Sequence, residues 1–134
     1  MPSIVNLKLL KYTALPAILI MLSGFIIGDN AIEGITWDKM SYDFGSVKSG
    51  TVAEVHFKMT NNRKDTVVVE NVIGSCGCLA TGWPRNPLYP GKSAEITVKF
   101  DSGKGKTGHH YKTVTVLTNK GEVYLSLNAN VVNE

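Results

Sequence analysis

The sequence holds only two cysteines in 134 residues, two positions apart at Cys76 and Cys78. That scarcity excludes the multi-bridge framework of small secreted scaffolds and a zinc site built from cysteine alone. Carboxylates occur singly, with no pair placed for acid–base work. No serine sits in a nucleophile elbow. Basic residues are scattered, and the formal net charge is only +3. Two of the lysines, Lys8 and Lys11, precede residue 31. Nucleic-acid binders cluster their basic residues on one face among stacking aromatics, so a nucleic-acid partner is not expected. There is no internal repeat and no low-complexity segment. Lys104 and Lys106 stand among Gly103, Gly105 and Gly108. The Lys-Ser or Lys-Thr and the helix of a phosphate loop do not follow, so this stretch reads as a hairpin tip.

What is present begins with an address. Residues 1–11 carry two lysines and no acid, and residues 12–28 run for 17 positions without a charge. A basic stretch followed by a short apolar run is the layout of a secretory signal. Seventeen residues also reach the lower edge of a membrane-spanning helix. A cleaved signal ending near Gly28 or Ala31 and a retained anchor, with Lys8 and Lys11 on the cytoplasmic side, therefore both remain open. Under either, residues 1–31 are a hydrophobic leader helix and residues 32–134 a single domain outside the cytoplasm. Membrane contact is expected only through residues 12–28, if the leader is retained.

From residue 35 the pattern is alternation. Ala53, Val55, Phe57 and Met59 alternate with Glu54, His56, Lys58 and Thr60. Ile96, Val98 and Phe100 alternate with Glu95, Thr97 and Lys99. Val123, Leu125, Leu127, Ala129 and Val131 alternate with polar residues and Tyr124. Period two places one set on a core face and the other in water. Weaker strands read at 35–44, 66–73 and 111–118, rich in Val, Thr and aromatics. Turn residues occupy 45–50, 61–65, 84–91 and 102–108, and 119–121 is short enough to close a hairpin. The expected fold is an all-β, antiparallel sandwich of about seven strands, immunoglobulin-like, with a small barrel as the alternative.

Several residues resemble a known family. They are Tyr42-Asp43-Phe44-Gly45 with Gly50, Phe57 with Thr60-Asn61, and Ser75-Cys76-Gly77-Cys78. Pro90-Gly91, Ile96-Val98-Phe100, Gly108 with Lys112, and Val116 with Thr118-Asn119 continue the match. Over about residues 35–132 the chain resembles an exported bacterial immunoglobulin-like family that carries a Ser-Cys-Gly-Cys motif. That family is similar to Hydin-like and major-sperm-protein-like sandwich domains. The resemblance implies a sandwich and export, and it brings no established catalytic residues. His109-His110 departs from the family pattern.

Cys76 and Cys78 admit four readings. They could be bridged, since export favours oxidation, although an extended i, i+2 pair lies near the upper limit for bridging. They could be two thiols packed beneath a loop lidded by Trp83. They could bind copper or zinc with His109, His110 or His56 as further ligands. Adjacent histidines on a strand face opposite ways, so one at most would normally reach. They could serve thiol redox chemistry, although the usual spacing of two intervening residues at a helix N-terminus is missing. Gly77 between them is expected to permit a bend that a side chain would resist. Trp37 is expected in the core of the first strand.

The function expected is a non-enzymatic binding or scaffold module of the periplasm or cell envelope, with an envelope protein as partner. The expected surface is one end of the sandwich carrying 79–93 and 103–110, including Trp83, Arg85, Tyr89, Lys104 and Lys106. Soft-metal binding and thiol redox chemistry are the alternatives.

Overall fold

The computed structural model describes residues 31–104 and 106–133. The leader, its helix included, lies outside the described residues except for Ala31. The body forms two four-stranded sheets packed face to face. One has the order β1 (Ile35–Trp37), β3 (Val52–Asn61), β6 (Ser93–Asp101), β5 (Leu79–Gly82). The other has the order β2 (Ser41–Lys48), β8 (Gly121–Val132), β7 (Gly108–Thr118), β4 (Val69–Gly74). Among the described residues no helix is long and apolar enough to cross a membrane.

The alternation in the sequence is what welds the sheets. Val55 faces Val98 and Phe57 faces Ile96 across the β3–β6 ladder. These side chains and Met59 are buried, while Glu54, His56 and Lys58 are exposed. Val114, Val116, Val123, Leu125 and Leu127 supply the opposing face of the main core. A smaller core of Val47, Cys78, Phe100, Ala129 and Val131 closes one end. The β7–β8 hairpin forms as expected, Thr118 pairing with Gly121. The Thr118 hydroxyl accepts the Lys120 N–H at 3.0 Å and donates to the Gly121 carbonyl at 2.9 Å, which fixes this turn.

The structure corrects several expectations. The strand expected at 35–44 is two strands in different sheets. β1 pairs antiparallel with β3, the chain crosses at Asp38, and β2 then pairs parallel with β8. The sandwich is therefore not wholly antiparallel, and it has eight strands. Asp38 makes the crossing: its carboxylate accepts the Lys58 N–H at 2.8 Å, and its own N–H donates to the Lys58 carbonyl at 3.0 Å. β2 also runs on to Lys48, through the stretch expected as a turn, by a register shift between Asp43 and Ser46. Gly45 takes φ 66° inside that shift, a conformation side chains rarely adopt. Residues 79–82, expected within a loop, form β5.

Buried polar groups hold the ends. Asn61 is fully buried; its amide donates to the carbonyls of Asp65 and Leu88, both at 2.9 Å, and its oxygen accepts the Arg63 N–H at 2.9 Å. Ser102, expected in a hairpin tip, is also fully buried. Its hydroxyl lies 2.7 Å from the carbonyls of Lys48 and Thr51 and accepts the Thr51 N–H at 2.9 Å. On the surface beside Asn61, Asp65 meets Arg63 Nε at 2.7 Å and Lys120 Nζ at 2.5 Å. Hydrogen bonds from Arg63 and then Lys120 hold the Asp65 carboxyl well below the ordinary carboxylate range.

Phe57→Ala should lower the unfolding free energy by about 3–5 kcal/mol, because it empties a fully buried aromatic site; urea denaturation reads this. A lowered carboxyl pKa stabilises the fold above the group's unfolded value and loses that contribution as pH falls. Thermal midpoints should therefore drop below about pH 4, the ordinary aspartate range, and Asp65→Asn should flatten that limb.

Candidate functional site

The chain passes between sheets at the cysteines. β4 ends on Gly74 at the edge of one sheet, and β5 begins at Leu79 on the edge of the other. Residues 75–78 make the turn between them, and Cys76 and Cys78 are joined by a disulfide with Cα atoms 5.2 Å apart. That separation lies inside the bridging range, because the chain is bent here rather than extended. The turn is anchored on both sides. The Ser75 N–H donates to the Thr113 carbonyl at 2.9 Å, and the Ser75 hydroxyl accepts the Thr113 N–H at 3.1 Å. The Cys78 carbonyl accepts the Asp101 N–H at 2.8 Å.

The glycine that this turn requires is Gly74, contrary to the expectation for Gly77. A Cβ on Gly77 would meet nothing within 4 Å, whereas one on Gly74 would lie 2.7 Å from Cβ of Leu79. The turn folds Leu79 back over Gly74, so the steric demand falls at the end of the strand rather than at the tip.

Cys78 is buried beside Phe100, and Cys76 packs on the same small core. Trp83 does not lid the pair. It packs on the main core with Trp37, as expected for Trp37. The Arg85 guanidinium lies 4.0 Å from the centre of the Trp83 ring. Both indole nitrogens are buried without a hydrogen-bond partner among the described residues. The ring that reaches the cysteine end is His110, 5.9 Å from the Phe100 ring, with a nitrogen hydrogen-bonded to the Lys106 carbonyl. His109 is exposed on the opposite face of β7.

His56 lies on the outer face of the other sheet, 2.9 Å from Glu54 and 3.1 Å from the Thr97 hydroxyl. It does not complete a set with the cysteines: no group of three or more His, Cys, Asp or Glu side chains is placed to hold a metal among the described residues. Sulfurs joined to each other are also not thiolate ligands. Copper or zinc binding therefore requires the reduced pair.

The surface expected at one end is divided. Strand β6 runs between the two loops in question, so residues 83–92 precede its start and residues 102–107 follow its end. Tyr89 lies near Asn61, whose carbonyl accepts the Gly91 N–H. Lys104 and Lys106 lie at the disulfide end; both are exposed, and Lys104 sits 3.9 Å from Asp101.

That disulfide end also carries a groove of about 470 Å³ on the outer face of the β2–β8–β7 sheet, lined in part by Asp43, Ser46, His109, Tyr111, Asn128 and Asn130. Sequence reading found His109 and missed the rest. Their one signal was asparagine at alternate positions of a strand, where that residue is depleted.

A family described as "Protein of unknown function (DUF1573)" matches residues 35–131. This chain belongs to the DUF1573 family. The sequence matches no curated protein. Among solved structures it is similar to a protein of unknown function from Porphyromonas gingivalis W83. The TM-score is 0.63 at 14% identity, covering 72% of this chain and 46% of that one. It thus spans less than half the length of that relative. It is also similar to the ASH / PapD-like domain 7 of human CEP192, with a TM-score of 0.65 at 8% identity, covering 79% and 89%. The VesB protease of Vibrio cholerae matches at 0.58 and 12% identity, covering 74% of this chain and 32% of the protease. At such identities the likeness shows a shared PapD-like, immunoglobulin-like fold and nothing of activity.

Gly74→Ala should destabilise the DUF1573 domain by about 1–3 kcal/mol through overpacking against Leu79, and Gly77→Ala by clearly less. Reducing the disulfide should have a small effect, below about 2 kcal/mol, because the closed loop is so short. Urea midpoints with and without reductant measure both.

Proposed function

We propose that this protein is a non-catalytic binding or scaffold module of the bacterial periplasm or cell envelope. The hydrophobic leader over residues 1–31 carries it there, and an envelope protein is its partner. The observation that carries this reading is the disulfide end of the sandwich. There the Cys76–Cys78 bond closes the turn whose Cys78 carbonyl accepts the Asp101 N–H, and buried Ser102 holds the backbone next to exposed Lys104, with Lys106 and His109 exposed nearby. A disulfide suits an oxidising compartment outside the cytoplasm. A rigid base under exposed side chains suits recognition, because little ordering cost is left for binding. The Ser75-Cys76-Gly77-Cys78 segment is, in this reading, a motif kept for architecture: it sets the crossing from one sheet to the other. The likeness of this fold to Hydin-like and major-sperm-protein-like sandwich domains belongs to the same proposal.

The full chain, tagged and expressed in a bacterial host, should leave the cytoplasm and show no free thiol until it is reduced. Pull-down from envelope extracts should recover a protein that the Lys104→Glu/Lys106→Glu variant loses while keeping the same thermal midpoint. Retention in the cytoplasm with two free thiols would sink the export reading. Equal recovery by both forms would move the binding surface elsewhere, with Trp83, Arg85 and Tyr89 at the opposite end as the next surface to alter.

A further inference from the structure

The groove at the disulfide end has an order that the lysines and cysteines do not explain. Asn128 of β8 is paired with Asp43 of β2 on one side and with Tyr111 of β7 on the other. Two residues along, Asn130 is paired with Ser46 and with His109. The result is two polar rungs, each three strands wide, side by side on the outer face. The strand rise separates them by about 6.6 Å, and neighbouring strands lie about 4.8 Å apart. The next rung, Ser41–Ser126–Thr113, carries only small hydroxyls.

The side chains of Ser46, His109, Tyr111, Asn128 and Asn130 make no hydrogen bond to any described residue. Asp43 uses one oxygen to accept the Gly45 N–H at 2.7 Å, which holds the β2 shift that walls the groove. Tyr111 is 67% exposed, more than any other large apolar or aromatic side chain in the body. The fold therefore gains nothing visible from these groups, and asparagine twice in the longest strand runs against β propensity. The volume of about 470 Å³ falls within the range of small-molecule sites.

We propose that this groove binds a neutral saccharide, its ring laid on Tyr111 and its hydroxyls held by Asn128, Asn130 and Asp43. Carboxamides both donate and accept, as neighbouring sugar hydroxyls do. The electron-rich face of the tyrosine ring meets the C–H face of a pyranose, whose hydrogens carry partial positive charge. Asp43 repels a phosphate or a uronic acid, which selects a neutral ligand. An extended peptide would need an unpaired strand edge, and β8 is flanked on both sides by β2 and β7. The site rests on the binding-module reading for its place at the rigid end of the domain, and it is separate from the lysines assigned to the protein partner.

Isothermal titration of the full chain with chitotriose, cellotriose and maltotriose, and with trigalacturonate as the anionic control, tests it. At least one neutral trisaccharide should bind saturably, and trigalacturonate should not. Tyr111→Ala should weaken that binding by about tenfold or more, equivalent to about 1.4 kcal/mol, and Tyr111→Phe should preserve it. Asn128→Ala should weaken it too, while Thr113→Ala on the adjacent rung should leave it unchanged. All these positions are on the outer surface, and thermal midpoints equal to the parent's show that the fold is intact. Absence of saturable binding to every neutral trisaccharide, preference for the anionic one, or indifference to Tyr111→Ala overturns the proposal. If an envelope partner is still recovered by pull-down, the saccharide site alone has failed; if none is, the binding-module reading has failed with it.

Discussion

The chain of this domain has to cross repeatedly between two sheets, and the structure depends on how each crossing is satisfied. Every connection passes from one sheet to the other except β5–β6 and the β7–β8 hairpin. A crossing leaves the hydrogen-bonded ladder, so its backbone polar groups need other partners. Asp38 serves the first crossing, Ser102 the second and Asn61 the third. The disulfide turn, with Ser75 bonded to Thr113, serves the fourth. Between these points the apolar faces need only be continuous to pack.

This constraint gives the cysteine pair its place. Cys76 and Cys78 sit in the four-residue turn that joins the edge strand of one sheet to the edge strand of the other, and Cys78 is part of the small core with Phe100. The bond belongs to the architecture of the corner, in the same way that buried Asn61 belongs to the architecture of the opposite end. The corner in turn sets the rigidity of the surface beside it. Lys104 stands next to buried Ser102, and the groove on β2, β8 and β7 stands on paired strands.

Much of the fold was legible in the sequence, and the candidate site was not. The alternations in β3, β6 and β8 were read with the right residues facing inward, because side chains two apart on a strand share a face whatever the partner strand is. The β7–β8 hairpin was readable because its turn is local. The break at Asp38 was hidden, since Trp37 and Tyr42 both suit a strand and nothing local says that they pair with different neighbours. The short β5 was hidden for a related reason: Leu79–Gly82 becomes a strand through pairing with Val98 and Phe100 on β6, distant in sequence. Gly77 drew attention by standing between cysteines, yet the close contact is made by Gly74.

By itself the sequence determined a β-rich body, its core residues and the corner marked by two cysteines. Those properties follow from local periodicity and composition. Only the tertiary structure decided that β2 runs parallel to β8, that the two loops expected to share a surface lie at opposite ends of β6, and that Asp43, Asn128 and Tyr111 form one rung. Cross-strand register depends on pairing between segments far apart in the chain, and the side chains that meet on one face are chosen by that register.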